Sequence, residues 1–141
     1  MAVYCVAGAV NIQPWHFTVP QDAAVLAEVN AEAAVILGCE GDIFYAAPTT
    51  IFISADRDSD WAKLDSGIAV QNIALAAQSL GLGTVILGLP AAAFKGSRAE
   101  YFSKLLKFPV THEFAIAIAV GYPDCSKEAH PVGDGRIAYI R

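Results

Sequence analysis

The chain has 141 residues, 55% of them hydrophobic and only 16% charged, with a formal net charge of −5. Its length suits one domain burying about two-thirds of its unfolded surface, and its scattered basic residues exclude a nucleic-acid face, because phosphate neutralisation supplies most of that affinity. The apolar runs stop short of the roughly 20 residues a membrane span needs, so the surplus apolar surface points to a second copy of the chain, a homodimer.

The first residues, Met1–Val10, carry no basic stretch of the kind that opens a signal peptide, so a cytoplasmic location is expected. Trp15–Val19 (WHFTV) predicts a short strand ended by Pro20. Asp22 offers an N-cap for a helix over Ala23–Val29, continuing in broken form through Ala34–Leu37 and closed by Gly38 and Gly41. Thr49–Ala55 (TTIFISA), β-branched and bounded by Pro48 and Asp56, is the second strand.

Asp58-Ser59-Asp60 supplies candidate caps for a long helix, Trp61–Leu80. Its apolar residues, among them Leu64, Ile68, Val70, Ile73, Leu75 and Leu80, run almost all the way round, so it must be covered on several sides. Asp65, Asn72 and Ser79 recur every seven residues and share a face. Gly81-Leu82-Gly83 stops the helix, and Thr84–Leu87 reads as a short strand. Ser97-x-x-Glu100 has the form of a capping box for a helix over Arg98–Lys107, broken by Pro109. Phe114–Val120 (FAIAIAV) is apolar throughout, which predicts a strand covered on both faces. Arg136–Ile140 (RIAYI) alternates and predicts a final strand. Strands and helices alternating in this way fit a central sheet with helices on both faces, in a single domain.

Few chemical constellations emerge. Gly81-x-Gly83 with Gly88 follows a helix and precedes a strand, the reverse of a dinucleotide fingerprint, and there is no phosphate loop or nucleophile elbow. His16, His112 and His130 lack partners at metal spacing; His16 is expected as a partly exposed strand residue and His112 in a solvated turn. Cys5, Cys39 and Cys125 form no CxxC pair and are expected as reduced thiols packed as small hydrophobes. With no Ser/His/Asp set, a catalytic function would place the chemistry on a bound cofactor. Asn11-Ile12-Gln13-Pro14-Trp15 is the most informative segment: two carboxamides on a Pro-stiffened loop beside an aromatic suit a planar heterocycle bearing donors and acceptors.

Three blocks then acquire a family look. Ala7-Gly8-Ala9-Val10-Asn11-Ile12-Gln13-Pro14-Trp15-His16-Phe17 resembles the PSxxNxQPWxF segment of the FMN-dependent nitroreductases. The run from Asp65 through Gln71-Asn72 and Leu75-Ala76-Ala77 to Leu80-Gly81-Leu82-Gly83 resembles their long central helix and the turn after it. Pro109-Val110-x-x-Glu113 with Ala117-Ile118-Ala119-Val120-Gly121-Tyr122-Pro123 resembles a third block. The resemblance implies an α+β, three-layer α/β/α fold with a mostly antiparallel sheet, dimerising through the long helix and exchanging C-terminal strands. It implies FMN as cofactor, NAD(P)H as electron donor, and nitroaromatic, quinone or similar acceptors. The cofactor-binding residues would be Asn11, Gln13, Ile86, Leu87, Gly88 and Arg136, with the backbone of Leu87 and Gly88 facing the flavin and Arg136 the phosphate. No catalytic side chain and no metal are expected.

The chain departs from the pattern at Ala7-Gly8, in place of Pro-Ser, and at Asp134, in place of a lysine. The family's N-terminal helix with its Arg-Ser-x-Arg-type motif has no counterpart ahead of the QPW segment. A weakened phosphate grip is the expectation, and the alternative reading is a catalytically silent paralogue acting as a dimeric binding protein.

Overall fold

The structure is a computed structural model describing Gly8 and residues 11–131, 133 and 135–140. Four strands, β1 (Trp15–Thr18), β2 (Thr49–Asp56), β3 (Gly83–Leu87) and β4 (His112–Gly121), form one sheet in the order β1-β2-β4-β3, every pair antiparallel. Helices α1 (Ala23–Leu37) and α3 (Ala99–Leu105) and a 3₁₀ segment, Leu89–Phe94, build the layer on one face; α2 (Ala62–Ser79) builds the other. The result is the three-layer α+β arrangement with an antiparallel sheet.

Strand alternation sorts the core. Phe52, Ala117 and Ala119 pack with Val29, Phe44, Phe102 and Leu106 on the α1/α3 side, while Ile53 and Ile118 pack with Ala69, Val70 and Ile73 of α2. A bulge between Ile53 and Ser54 shifts the β2–β4 register, so Ile53 faces Ile116 and Ser54 faces Phe114. Because β4 is the inner strand between β2 and β3, its apolar run is covered on both faces, as its composition requires.

Local details depart from the sequence expectations in instructive ways. Asp22 does cap α1, accepting a bond from the Ala24 N–H at 2.8 Å, and Gly38 ends the helix at φ 63°. The helix is unbroken, however. Asn30, where a break was expected, turns its carboxamide to the following loop, donating to the Gly41 carbonyl at 3.2 Å and accepting from the Ile43 N–H at 2.9 Å. A tertiary partner thus removes the competition with the helix backbone that normally makes Asn a poor helix former.

At α2 none of the expected side-chain caps is used; Trp61 is the N-cap and the chain turns in through an Ala62 N–H bond to the Ser59 carbonyl at 3.2 Å. The capping box at α3 does not form either: Glu100 reaches forward to Lys104 at 2.7 Å, and the Arg98 N-cap makes no side-chain bond to the helix end. The predicted final strand is absent. Residues 136–140 pair with nothing in the sheet, and Ile137, Tyr139 and Ile140 are 68%, 85% and 97% exposed. Alternation alone does not make a strand; an edge must receive it. Cys39 and Cys125 are exposed rather than packed, and Cys5 lies outside the described residues. No described helix is long and apolar enough to cross a membrane.

Candidate functional site

The expected site residues fall on the Asn11–Gln13 loop, at the end of β3 and in the tail. Asp56 at the end of β2 lies opposite His112 at the start of β4, and its N–H donates to the Pro14 carbonyl at 2.8 Å, which seats the Asn11–Gln13 loop at that end. β3 runs towards that end but stops short of it: Leu87 lies opposite Ala117, which faces Phe52 in the middle of β2. Asn11 and Gln13 are exposed, and both are left-handed, with φ 56° and 54°. Left-handed backbone is rare for a residue other than glycine, and at Gln13 it also departs from the extended range usual before a proline. Pro14 is buried, which explains how the strained loop is anchored downstream.

On β3, Leu87 points into the core while Ile86 is half-exposed. β3 is an outer strand, so its outward backbone groups have no strand partner among the described residues. At Gly88 a Cβ would meet nothing within 4 Å, so the backbone there faces open space. Arg136 is exposed and lies in the tail beyond β4.

The two halves of this set do not converge within one chain. β1 and β3 are the opposite edges of the sheet, three strand spacings or about 14 Å apart. α2 passes across all four strands between them. Its sheet-facing side carries Asp65, Ser66, Ala69, Val70, Ile73 and Ala77, whereas Leu64, Ile68 and Leu75 stand exposed on the outer side at 59%, 37% and 59%. Asp65, a polar residue in the apolar helix, is buried against Gly8, a contact that the one acid among the helix's apolar residues signals in the sequence but does not locate.

The structure also assembles groups the sequence does not join. His112 is not in a solvated turn; it begins β4, with its Nδ1 3.2 Å from Ser54 Oγ. His16 faces it from β1, and its pKa is lowered, first by burial and then by the neighbouring imidazole. Ser54 is fully buried, so this Ser–His pair is a packing contact and not an accessible nucleophile. A cleft of about 530 Å³ opens elsewhere, between α3 and the start of β4, lined by Phe94, Phe108 and Phe114 with Arg57 and Lys104; none of the expected cofactor residues borders it. Among the described residues, no group of three or more His, Cys, Asp or Glu could hold a metal ion.

Comparison with known proteins decides what the scaffold is. Residues 2–122 match the family model described as the nitroreductase family. The chain belongs to the nitroreductase family. Among solved structures, it resembles a nitroreductase with bound FMN from Desulfitobacterium hafniense DCB-2, 32% identical with a TM-score of 0.88, over 99% of this chain and 82% of that one. An FMN-dependent nitroreductase from Clostridium difficile R20291 is 27% identical with a TM-score of 0.83, over 99% of this chain and 84% of that one. Among curated proteins, an NADPH-flavin oxidoreductase of Vibrio harveyi is 32% identical over 117 residues, 79% of this chain but 45% of that protein's length. The nitroreductase fold accounts for the all-antiparallel sheet, for the long α2 crossing it, and for the helices on both faces.

Proposed function

We propose that this chain is an oxidoreductase that uses FMN to carry electrons from NAD(P)H to a nitroaromatic, quinone or similar small acceptor, and that it does so as a homodimer. The observation that carries the proposal is the free edge of β3 ending in Gly88, whose backbone faces open space, in a chain that also exposes the Asn11 and Gln13 carboxamides. Family membership and the FMN-bound relative from Desulfitobacterium support it; the Vibrio relative supports the nicotinamide donor.

The residues suit a flavin. A planar ring with alternating donors and acceptors is matched by unpaired strand backbone and by carboxamides, and the glycine at position 88 leaves the backbone open to its approach. Ile86 gives an apolar side chain to exclude water, Leu87 and Gly88 give backbone donors, Asn11 and Gln13 give side-chain hydrogen bonds, and Arg136 brings a planar cation suited to a phosphate. Bound there, FMN would supply the two-electron chemistry that no side chain of the set provides. The protein's part is to orient the ring, keep water from its face and neutralise the phosphate. Since the two halves of the set lie on opposite edges of one sheet, a second copy must complete the site, and the exposed Leu64–Ile68–Leu75 side of α2 is a suitable seam.

Titrating purified protein with FMN while recording the flavin absorbance, then adding NAD(P)H and a quinone, tests the reading. Saturable uptake and nicotinamide oxidation are expected. Protein that takes up no FMN and oxidises no NAD(P)H would leave the non-catalytic dimeric binding protein as the better account.

A further inference from the structure

We propose that Asp65 is a positioning residue for the cofactor loop: its buried carboxylate, packed on the backbone of Gly8, fixes the segment that presents Asn11 and Gln13. This rests on the flavin reading for its consequence, but not for its geometry.

Asp65 is only 2% exposed, in the first turn of a sheet-facing helix side that is apolar but for it and Ser66. A carboxylate there is favoured by the helix N-terminus, but burial among alanine and isoleucine is costly unless the group is doing something specific. Its neighbour is Gly8. A Cβ built on Gly8 would lie 2.9 Å from Asp65 Oδ2 and in van der Waals contact with its Cγ at 3.4 Å, so a side chain there would force the carboxylate to shift. The glycine is therefore a close-approach residue: its missing side chain is the space the carboxylate occupies. The Gly8 carbonyl in turn accepts a bond from the Asn11 N–H at 3.3 Å.

The loop is thus held at both ends. Upstream, Asp65 packs on Gly8; downstream, the Asp56 N–H holds the Pro14 carbonyl at 2.8 Å. Between these points Asn11 and Gln13 keep left-handed backbone, at φ 56° and 54°. Such conformations persist at non-glycine residues only where the surroundings over-determine them. The two fixed ends supply that determination, and the carboxamides between them are exposed and aimed by backbone strain, not by side-chain packing. Remove the upstream contact and the loop relaxes towards ordinary right-handed or extended backbone, turning both carboxamides away from their present directions.

The test uses the full chain carrying Asp65→Ala, Asp65→Asn, Gly8→Ala, and Gly8→Ala combined with Asp65→Ala. Two readouts are taken well below each variant's Tm: amide exchange at Asn11–Gln13 in flavin-free protein, and FMN affinity by fluorescence quenching. Asp65→Ala and Gly8→Ala are each expected to speed exchange at the Asn11 amide and to weaken FMN binding about tenfold, the scale of one lost hydrogen-bonded contact. Asp65→Asn, which keeps the shape, is expected to restore most of both. In the Asp65→Ala background Gly8→Ala should add little, because the group its Cβ strikes has gone. Loop exchange unchanged by Asp65→Ala would overturn the proposal, as would fully additive effects of the two substitutions. If wild-type protein takes up no FMN, the functional reading fails while the exchange measurement still decides whether Asp65 holds the loop.

Discussion

His16 and His112 meet edge-on across β2, their ring centroids 6.4 Å apart and their planes at 90°. One is on β1, the other on β4, and Ser54 of the intervening strand contacts His112 at 3.2 Å. The His16 ring also has a buried Nδ1 with no hydrogen-bond partner among the described residues.

This arrangement sets a pH dependence. Burial, and secondarily the neighbouring His112, lower the pKa of His16 from 6.5. Between the lowered value and 6.5 the unfolded chain binds more protons than the folded one, so stability rises with pH through that window. Above it the histidine contributes no penalty; below the folded value the penalty is complete. Melting temperature should climb as the pH rises towards 6.5, and His16→Gln should remove part of that climb. Parallel thermal melts of the two proteins read the difference, which carboxylates elsewhere do not affect. Identical profiles would refute it.

Arg98 ties α3 to α1. Its guanidinium donates to Glu28 at 2.8 Å and Glu32 at 2.9 Å, and lies over the Tyr101 and Phe102 rings at 4.8 and 4.9 Å. Both glutamate bonds, with Glu28 the larger influence, raise the arginine's pKa, so it stays charged throughout the accessible range. Arg98→Lys should not rescue what Arg98→Ala loses, because a point charge cannot bond two carboxylates and stack at once. Melts at low and high salt check this: the gap between wild type and either variant should narrow as salt screens the exposed pairs.

Thr50 is fully buried in β2, with no partner for its Oγ1 among the described residues. Thr50→Val keeps the shape and removes an unsatisfied hydroxyl, so it should raise stability by about 1 kcal/mol, or roughly 2–4 °C in Tm for a chain of this size. Phe102→Ala is the contrasting case. Phe102 has no exposed surface and contacts both Phe94 and Tyr101, so truncation should cost about 3–5 kcal/mol. Urea unfolding of the three proteins orders them Thr50→Val, wild type, Phe102→Ala.

Leu75 is 59% exposed on the outer side of α2. Leu75→Glu should leave the far-ultraviolet circular dichroism unchanged, since the side chain is mostly exposed. If that side is the seam between two copies, the variant should elute as a monomer at micromolar concentration where wild type elutes as a dimer. Two proteins eluting alike would remove α2 as the seam.

How much of this was legible in the sequence depended on what kind of signal each element carried. β2 and β4 announced themselves because TTIFISA and FAIAIAV satisfy strand propensity and burial together. The break expected in α1 after Val29 does not occur, because Asn30 bonds the loop at Gly41 and Ile43, and that partner is visible only in three dimensions. The capping box at Ser97 failed because Glu100 found a lysine one turn on. The 3₁₀ segment Leu89–Phe94 was missed, since LPAAAF has no period to read. For the site, the Asn11–Gln13 motif and the Gly88 turn could be named by resemblance; that they stand on opposite edges of the sheet could not, because strand order is not written in strand propensity. The His16–His112 contact was hidden for the same reason, the two residues lying far apart in the chain and side by side in the fold.

The place of β4 has a consequence for how the chain reaches its shape. β3 touches the rest of the sheet only through β4, which comes last of the four in the chain. During synthesis the first three strands leave the ribosome with their central template still missing, and β3 can only wait. Closing β2 onto β4 joins Thr49 to Val120 and spans α2, β3 and α3 in a single loop, the kind of distant pairing that slows folding. The nascent β1–β2 pair therefore carries two uncovered sheet edges while the residues between Asp56 and His112 are made, and the interval before His112–Gly121 emerges is when it is most open to adhesion with its neighbours.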